Sequence, residues 1–146
     1  MTSRDFARVI GILFLAVGVL GFVPGLKSPP PLEAPHLSME GGYGLLLGLF
    51  AVNWIHNLVH VVIGVAGLRA SHSISESRKF ARGLTLFYGG LAVVGVIPVL
   101  NSTFGLIPLF GHDIWLHAGT AAVAAYFGFG QRSEKMEIRE RYRRAA

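Results

Sequence analysis

Long runs of apolar residues, separated by short polar segments, are the dominant pattern of this chain. Four runs come close to the roughly 20 residues that a helix needs to cross a bilayer. They lie near residues 6–23, 43–68, 80–100 and 113–129. Because the runs are continuously apolar and do not alternate, they predict helices and not half-buried strands. The pattern therefore predicts an all-α fold, a four-helix transmembrane bundle that forms one domain over residues 1–146.

The second run contains a stripe of polar side chains. Asn53, His56, Asn57 and His60 follow the i, i+3, i+4, i+7 spacing of one helix face. Polar side chains at membrane depth are costly and rarely face lipid. The stripe therefore predicts contact with another helix or with a ligand.

The fourth helix is predicted to carry a matching polar face made of Asp113, His117 and Thr120. His56 lies twelve residues before Leu68, at the cytoplasmic end of its helix, and His117 lies twelve before Phe129. Both histidines are therefore expected about 18 Å from that end. Helices two and four are expected to meet at this level.

The depth comparison extends to other polar residues. Asp113 is expected near Asn53, and Tyr88 of the third helix is expected level with His60. The predicted polar core comprises Asn53, His56, Asn57, His60, Tyr88, Asp113, His117 and Thr120.

Small residues occur at helix-packing spacing in the pairs Ala7/Gly11, Gly44/Gly48 and Gly64/Gly67. Gly44 and Gly48 form a G-x-x-x-G pair, which predicts close packing on the face of the second helix opposite the polar stripe. Gly64 and Gly67 continue the stripe itself, where they would let another helix approach closely.

Composition and charge agree with a membrane domain, since 52% of the residues are hydrophobic and 14% are charged. In a four-span arrangement, twelve of the thirteen Lys and Arg residues fall on one side, and Lys27 alone falls on the other. By the positive-inside rule both termini are predicted to be cytoplasmic, with residues 131–146 forming a basic tail. The first run also resembles a signal peptide ending near Val19-Leu20-Gly21, so its cleavage stays open.

Several function classes are excluded or disfavoured. The chain has no cysteine, which excludes disulfides, thiolate metal sites and cysteine nucleophiles. His56 and His60 have the H-x-x-x-H spacing of zinc proteases, but Asn57 stands where the general-base glutamate is required. An amide cannot accept a proton from bound water, so a zinc protease is disfavoured. The sequence also has no Gly-rich phosphate loop, nucleophile elbow or close pair of carboxylates, so other enzyme chemistry has little support. The formal charge of +5 comes from the membrane flanks and does not indicate nucleic-acid binding.

Three interpretations of the polar faces remain open. The first is structural: hydrogen bonds between helices fix their register, at about 0.6 kcal/mol each. The second is haem b, which requires imidazoles from facing helices and an apolar cage. His56 and His117, with His60 as a further candidate, would be the ligands. The cage candidates are Trp54, Leu58, Phe87 and Phe127.

The third interpretation is a divalent metal site. His56, His60 and His117 would supply nitrogen ligands and Asp113 an oxygen, a set that suits zinc or another divalent ion. The site residues shared by the haem and metal interpretations are therefore the three histidines.

The segments Asn53-x-x-His56-Asn57-Leu58-Val59-His60, Gly64-x-x-Gly67 and Asp113-x-x-x-His117-x-Gly119 resemble a known family. It consists of small four-helix bacterial integral membrane proteins and is classed as a domain of unknown function. The resemblance spans the chain from the first helix through Gly128. It implies the fold and the polar faces, and it implies no activity, cofactor or partner.

Together these observations predict a small non-enzymatic, multi-pass protein of the bacterial cytoplasmic (inner) membrane. It would be an accessory subunit with a polar core between helices two and four. The alternative is a haem b- or metal-binding redox module that uses His56, His60 and His117. The expected partners are the lipid bilayer and, in a homo-oligomer or a larger membrane complex, other membrane chains, with no nucleic acid.

Overall fold

The computed structural model describes residues 1–130 and 142–143, so most of the predicted basic tail over residues 131–146 lies outside the described residues. Residues 1–130 form four helices: α1 Ser3–Leu20, α2 Trp54–Ala70, α3 Ile74–Val96 and α4 His112–Ala125, which continues as a π-helical turn, Tyr126–Gly130. The predicted all-α class with four helices is confirmed. Within the described residues, no helix combines the length and apolar character that crossing a membrane requires.

Local side-chain chemistry decides where the helices begin. Thr2, Asn53 and Ser73 cap α1, α2 and α3 by accepting a hydrogen bond from a backbone N–H of the first turn. At α1 the Thr2 N–H also donates to Asp5 Oδ2 over 2.9 Å, which completes a capping box. α4 follows Gly111, whose φ of 63° is a left-handed conformation that glycine adopts without strain.

α1 and α2 are antiparallel and pack backbone against backbone. A Cβ built on Gly11 would lie 2.9 Å from the Gly64 carbonyl oxygen and 2.9 Å from the Leu68 nitrogen. A Cβ on Gly67 would lie 3.0 Å from the Ala7 carbonyl oxygen. The small residues of the first and second helices therefore form one interface, and the helix that approaches Gly64 and Gly67 is α1.

The hydrophobic core lies where α1 meets the antiparallel pair α3 and α4. It consists of Phe6, Phe14, Ala81, Leu84, Tyr88, Ala121, Ala124 and Phe127. The Phe6 and Phe127 rings stack with centroids 4.7 Å apart. Ser3 Oγ donates to the Phe127 carbonyl over 3.1 Å, so the start of α1 is fixed to the end of α4.

The two ends of the bundle differ in charge. The basic end, where α1 and α3 begin and α2 and α4 end, carries Arg4, Arg8, Arg69, Arg78, Lys79 and Arg82. There Arg4 Nε donates to the Ser71 carbonyl and Arg82 Nε to the Gly128 carbonyl, each over 2.9 Å. The loop end consists of residues 21–53 and 97–111.

The predicted second helix over residues 43–68 is wrong in its first part. Three short strands form an antiparallel sheet in the order β1 (Lys27–Ser28), β2 (Gly44–Leu46) and β3 (Phe50–Val52). A short 3-10 turn, Pro24–Leu26, precedes β1. The boundary between these strands and α2 lies within a continuous apolar run. Hydrophobic periodicity cannot distinguish a short buried strand from a helix in such a run.

The G-x-x-x-G prediction for Gly44 and Gly48 is wrong for the same reason. Gly44 lies in β2, where a Cβ would come 2.8 Å from the Ser28 carbonyl oxygen of β1. Leu47 and Gly48, with φ of 54° and 72°, form the left-handed turn between β2 and β3. Both glycines serve the sheet, and neither packs a helix.

We expect Gly64→Ala to lower the free energy of unfolding by about 1–3 kcal/mol, because the added Cβ would lie 2.7 Å from the Leu15 nitrogen. The matched control is Gly83→Ala in α3, where a Cβ meets nothing within 4 Å. Removal of a helical glycine there should stabilise by up to about 1 kcal/mol. Thermal unfolding followed by circular dichroism measures both. Equal effects of the two substitutions would contradict the close α1–α2 contact.

Candidate functional site

Asn53 is a fully buried junction between α2 and the two loops of the loop end. Its Oδ1 accepts the His56 N–H over 2.9 Å, which starts α2. Its Nδ2 donates to the Met39 carbonyl over 3.0 Å and to the Leu106 carbonyl over 2.6 Å. Both polar atoms of the Asn53 amide therefore have partners. The side chain fixes the first turn of α2, which contains His56.

The loop that contains Leu106 is itself tightly built. Thr103, Phe104 and Gly105 are successive residues with positive φ, a strained run for the two that are not glycine. The Gly105 carbonyl accepts from Ser38 N over 2.8 Å and from Met39 N over 3.2 Å. These bonds join the second loop to the first next to the Asn53 amide.

Asp113 joins α4 to the sheet. Its buried carboxylate lies in the first turn of α4, and Oδ2 accepts the Ala51 N–H of β3 over 2.9 Å. A carboxylate is favoured at this helix end because the free N–H groups and the helix dipole are positive there. Gly111, and not Asp113, occupies the N-cap position. Since Ala51 lies two residues before Asn53, this bond brings the start of α4 beside the start of α2.

Five aromatic rings meet between the four helices and form a closed circuit that we call the five-ring cluster. Its members are Phe14 of α1, His56 and His60 of α2, Tyr88 of α3 and His117 of α4. Around the circuit, the centroid distances are 5.3 Å for Phe14–His60, 4.6 Å for His60–His56, 6.1 Å for His56–His117, 5.0 Å for His117–Tyr88 and 5.3 Å for Tyr88–Phe14. Every helix of the bundle therefore contributes to one buried group of rings.

The three histidines of the cluster have the donor arrangement of a metal site. One ring nitrogen from each of His56, His60 and His117 lies within 4.8 Å of the other two, and all three side chains are buried. Among the described residues, the Nδ1 atom of each has no hydrogen-bond partner. A buried polar atom without a partner costs about 1–3 kcal/mol. An ion bound between the three rings would remove that cost for each nitrogen that ligates it.

The required movement is small. Zn–N bonds of about 2.0–2.1 Å in tetrahedral geometry place two ligand nitrogens about 3.4 Å apart. The histidine nitrogens lie within 4.8 Å of one another, so each would have to move by little more than an ångström to reach that distance.

The other predicted site residues lie around the cluster. The Asp113 Oδ2 atom accepts the Ala51 N–H, and Asp113 does not belong to the group of three close donors. Asn57 is buried but points to α1, where a Cβ on Gly21 would overlap its amide. Its Oδ1 and Nδ2 have no partner in the described part of the chain. Thr120 is half-buried on α4.

The predicted haem cage is wrong. Trp54, Leu58 and Phe87 face outward, with 57%, 56% and 46% of their surface exposed. Phe127 is buried, but it stacks on Phe6 at the basic end. The direction of each side chain around its helix decides whether it reaches the cluster.

Phe14 is a member of the cluster that sequence reasoning missed. The available signal was the spacing of small and buried positions on α1, namely Ser3, Ala7, Gly11, Phe14 and Gly18. These positions follow one face at intervals of three or four residues. A depth comparison extended to that face would have placed Phe14 near His60.

Comparison with known proteins identifies the family but not an activity. Residues 4–130 match the family described as Domain of unknown function (DUF4383), and the chain therefore belongs to that family. No curated protein and no solved structure shows significant similarity to the chain.

We expect Asn53→Ala to lower the free energy of unfolding by about 2–4 kcal/mol, because it removes a helix cap and two loop hydrogen bonds. Asn53→Asp keeps the cap oxygen and should lose less. Asn101→Ala is the control, since that half-buried side chain makes no hydrogen bond among the described residues. Denaturant titration measures all three, and an Asn53→Ala effect equal to the control would refute the junction.

Proposed function

We propose that this member of a family without an assigned function is an integral membrane protein that binds a transition-metal ion at His56, His60 and His117. The observation that carries the proposal is the convergence of three buried imidazoles, with donor atoms within 4.8 Å and each Nδ1 unpartnered. Imidazole suits zinc, copper, iron and nickel.

The distribution of hydrogen bonds among the polar residues supports a ligand role for the three histidines over a purely structural one. A structural polar core requires hydrogen bonds between elements, and these are made by Asn53 and Asp113. The histidines instead contact other rings, and the Nδ1 atom of each has no partner among the described residues. We therefore assign the structural role to Asn53 and Asp113 and the ligand role to the histidines.

The haem alternative has weaker support than a single ion. A porphyrin needs a flat slot with apolar walls between its axial ligands. The rings of Phe14 and Tyr88 already stand within 5.3 Å of the His60 and His117 rings. Three of the four cage candidates face outward. A single ion requires only the three imidazole nitrogens and no slot for a flat macrocycle.

The outer surface of the bundle supports a membrane location. Each helix exposes large apolar side chains, among them Ile12 and Leu13 on α1, Leu58 and Val62 on α2, Leu86 and Val93 on α3, and Trp115 and Val123 on α4. Apolar surface of this extent on a soluble monomer is unusual, and it marks contact with lipid or protein. We propose the bilayer of the bacterial cytoplasmic membrane as the partner of this surface.

The positions of aromatic and basic residues agree with this membrane location. Trp54 and Trp115 are exposed near the loop end, and Tyr126 is exposed near the basic end. Trp and Tyr are enriched at the two membrane–water interfaces. The basic end would face the cytoplasm, as the positive-inside rule requires.

The helices are short for this role, and the proposal includes a thin membrane around them. α2 has 17 residues and is about 25 Å long, against a hydrocarbon core of roughly 30 Å. Local thinning of the bilayer and extension of flanking basic side chains to the headgroups accommodate such a difference.

The topology can be tested with single cysteines, because the chain has none of its own. We expect Glu33→Cys, at the loop end, to react with a membrane-impermeant maleimide in intact spheroplasts. Ser75→Cys, between α2 and α3, should react only after lysis; both positions are exposed. Labelling of Ser75→Cys in intact spheroplasts would overturn the proposed orientation, and release of the protein from membranes by carbonate would overturn the membrane location.

Metal binding can be tested on protein purified in mild detergent with a histidine-free tag. After chelator treatment and reloading with a panel of transition metals, we expect one ion per chain by elemental analysis. His56→Ala, His60→Ala and His117→Ala should each lose it, because each removes one of three ligands. The exposed His72→Ala and His112→Ala variants are matched controls and should bind normally.

His117→Gln supplies a second variant of similar size, which keeps the test valid if an alanine substitution unfolds the bundle. Circular dichroism establishes that each variant is folded. Absence of every tested metal from the folded wild-type protein, or normal binding by a folded ligand variant, refutes the metal proposal.

A further inference from the structure

We propose that the ion held by the three histidines is monovalent copper, Cu(I), in preference to zinc or another divalent ion. This inference rests on the proposed metal-binding function. It follows from the charge, number and surroundings of the ligand atoms, which together select among the metals that imidazole can bind.

The ligand set carries no charge. A neutral imidazole is the form that ligates a metal, and the chain has no cysteine to supply a thiolate. The close group of donors contains His56, His60 and His117 without a carboxylate. Asp113 is the one buried acid among residues 1–130, and it lies one turn before His117 on α4. The buried surroundings therefore supply at most one negative charge.

The charge of the ion then decides which metal is stabilised. The cost of moving an ion from water into a low-dielectric interior rises with the square of its charge, so a dication costs about four times as much as a monocation of equal size. A monovalent ion among three neutral imidazoles leaves a single positive charge in the buried site. A divalent ion at the same place leaves twice that charge among the buried rings.

The number of ligands favours the same ion. Zinc is almost always four-coordinate, and sites with three protein ligands complete the set with water or substrate. Around the three histidines, the remaining members of the cluster are Phe14 and Tyr88, whose rings pack at 5.3 Å from His60 and 5.0 Å from His117. Zn(II) and Cu(I) both have a filled d shell, but Cu(I) is stable with three nitrogen ligands and needs no fourth. Calcium and magnesium are disfavoured because they prefer oxygen ligands.

The aromatic members of the cluster keep the surroundings of the histidines apolar. The Phe14 ring stacks on the His60 ring at 5.3 Å, and the Tyr88 ring lies 5.0 Å from the His117 ring. Apolar surroundings raise the cost of each uncompensated charge, so they add to the preference for an ion of low charge.

The test compares the affinities of the wild-type protein for Cu(I) and for Zn(II). Chelator-treated protein in detergent is titrated with Cu(I) anaerobically, with ascorbate present and bicinchoninate as the competing chelator. Zn(II) is titrated against a zinc indicator. We expect one Cu(I) per chain, bound about 100-fold or more tightly than Zn(II). Ag(I), added in a separate titration without ascorbate, should bind the same site and compete with Cu(I).

Single substitutions test whether Cu(I) binds at the three histidines. His56→Ala, His60→Ala and His117→Ala should each weaken Cu(I) binding at least tenfold, and His72→Ala should not change it. His60→Asp adds an anion to the ligand set and should lower the ratio of Cu(I) to Zn(II) affinity. X-ray absorption of the copper-loaded wild-type protein should show three nitrogen neighbours and no sulfur.

The outcomes separate the two proposals. Tighter binding of Zn(II), Co(II) or Ni(II) than of Cu(I) at the histidines overturns the copper inference and leaves the metal-binding function standing. Failure of all these ions to bind the folded wild-type protein overturns both. Cu(I) binding that survives all three histidine substitutions in folded variants also overturns the copper site. The wild-type titrations decide the matter even if His60→Asp does not fold.

Discussion

The hydrogen bonds of the Asn53 side chain hold the two loops and the first turn of α2 in a single arrangement. One amide caps the helix and joins the Met39 and Leu106 carbonyls, which belong to segments far apart in the chain. Asp113 extends this junction to α4 through Ala51. The positions of His56 and His117 follow from these bonds, because His56 lies in the first turn that Asn53 caps and His117 lies four residues after Asp113 on α4.

Close packing of α1 on α2 fixes the other side of the cluster. Gly11 and Gly64 let the two backbones touch, and Phe14 then reaches the His60 ring at an interplanar angle of 11°. The polar junction at the loop end and the glycine contact along the helices are therefore complementary constraints. The first sets the height of the histidines, and the second closes the space around them.

Much of this arrangement follows from helical periodicity, which the sequence displays directly. Spacing placed His56 and His60 on one face, and depth counting set His117 at the same level; in the structure, the His56 and His117 rings lie 6.1 Å apart. The hairpin over residues 44–52 could not be predicted from the sequence, because a continuous apolar run is compatible with a strand or with a helix. Which of the two forms depends on pairing with residues 27–28. Whether the Trp54 and Leu58 side chains point outward depends in turn on which neighbouring helix packs against each face of α2.

The five-ring cluster draws on all four helices, so the proposed ion would report on assembly. A chain with α4 not yet packed offers only the two histidines of α2, so the ion would bind tightly only to the complete bundle. A ligand selective for the native state adds stability that grows with its free concentration, about 2.7 kcal/mol at 100 times the dissociation constant. Metal supply would then govern how long the protein survives cellular proteolysis. Starvation for the ion would shorten its half-life before any change in its synthesis.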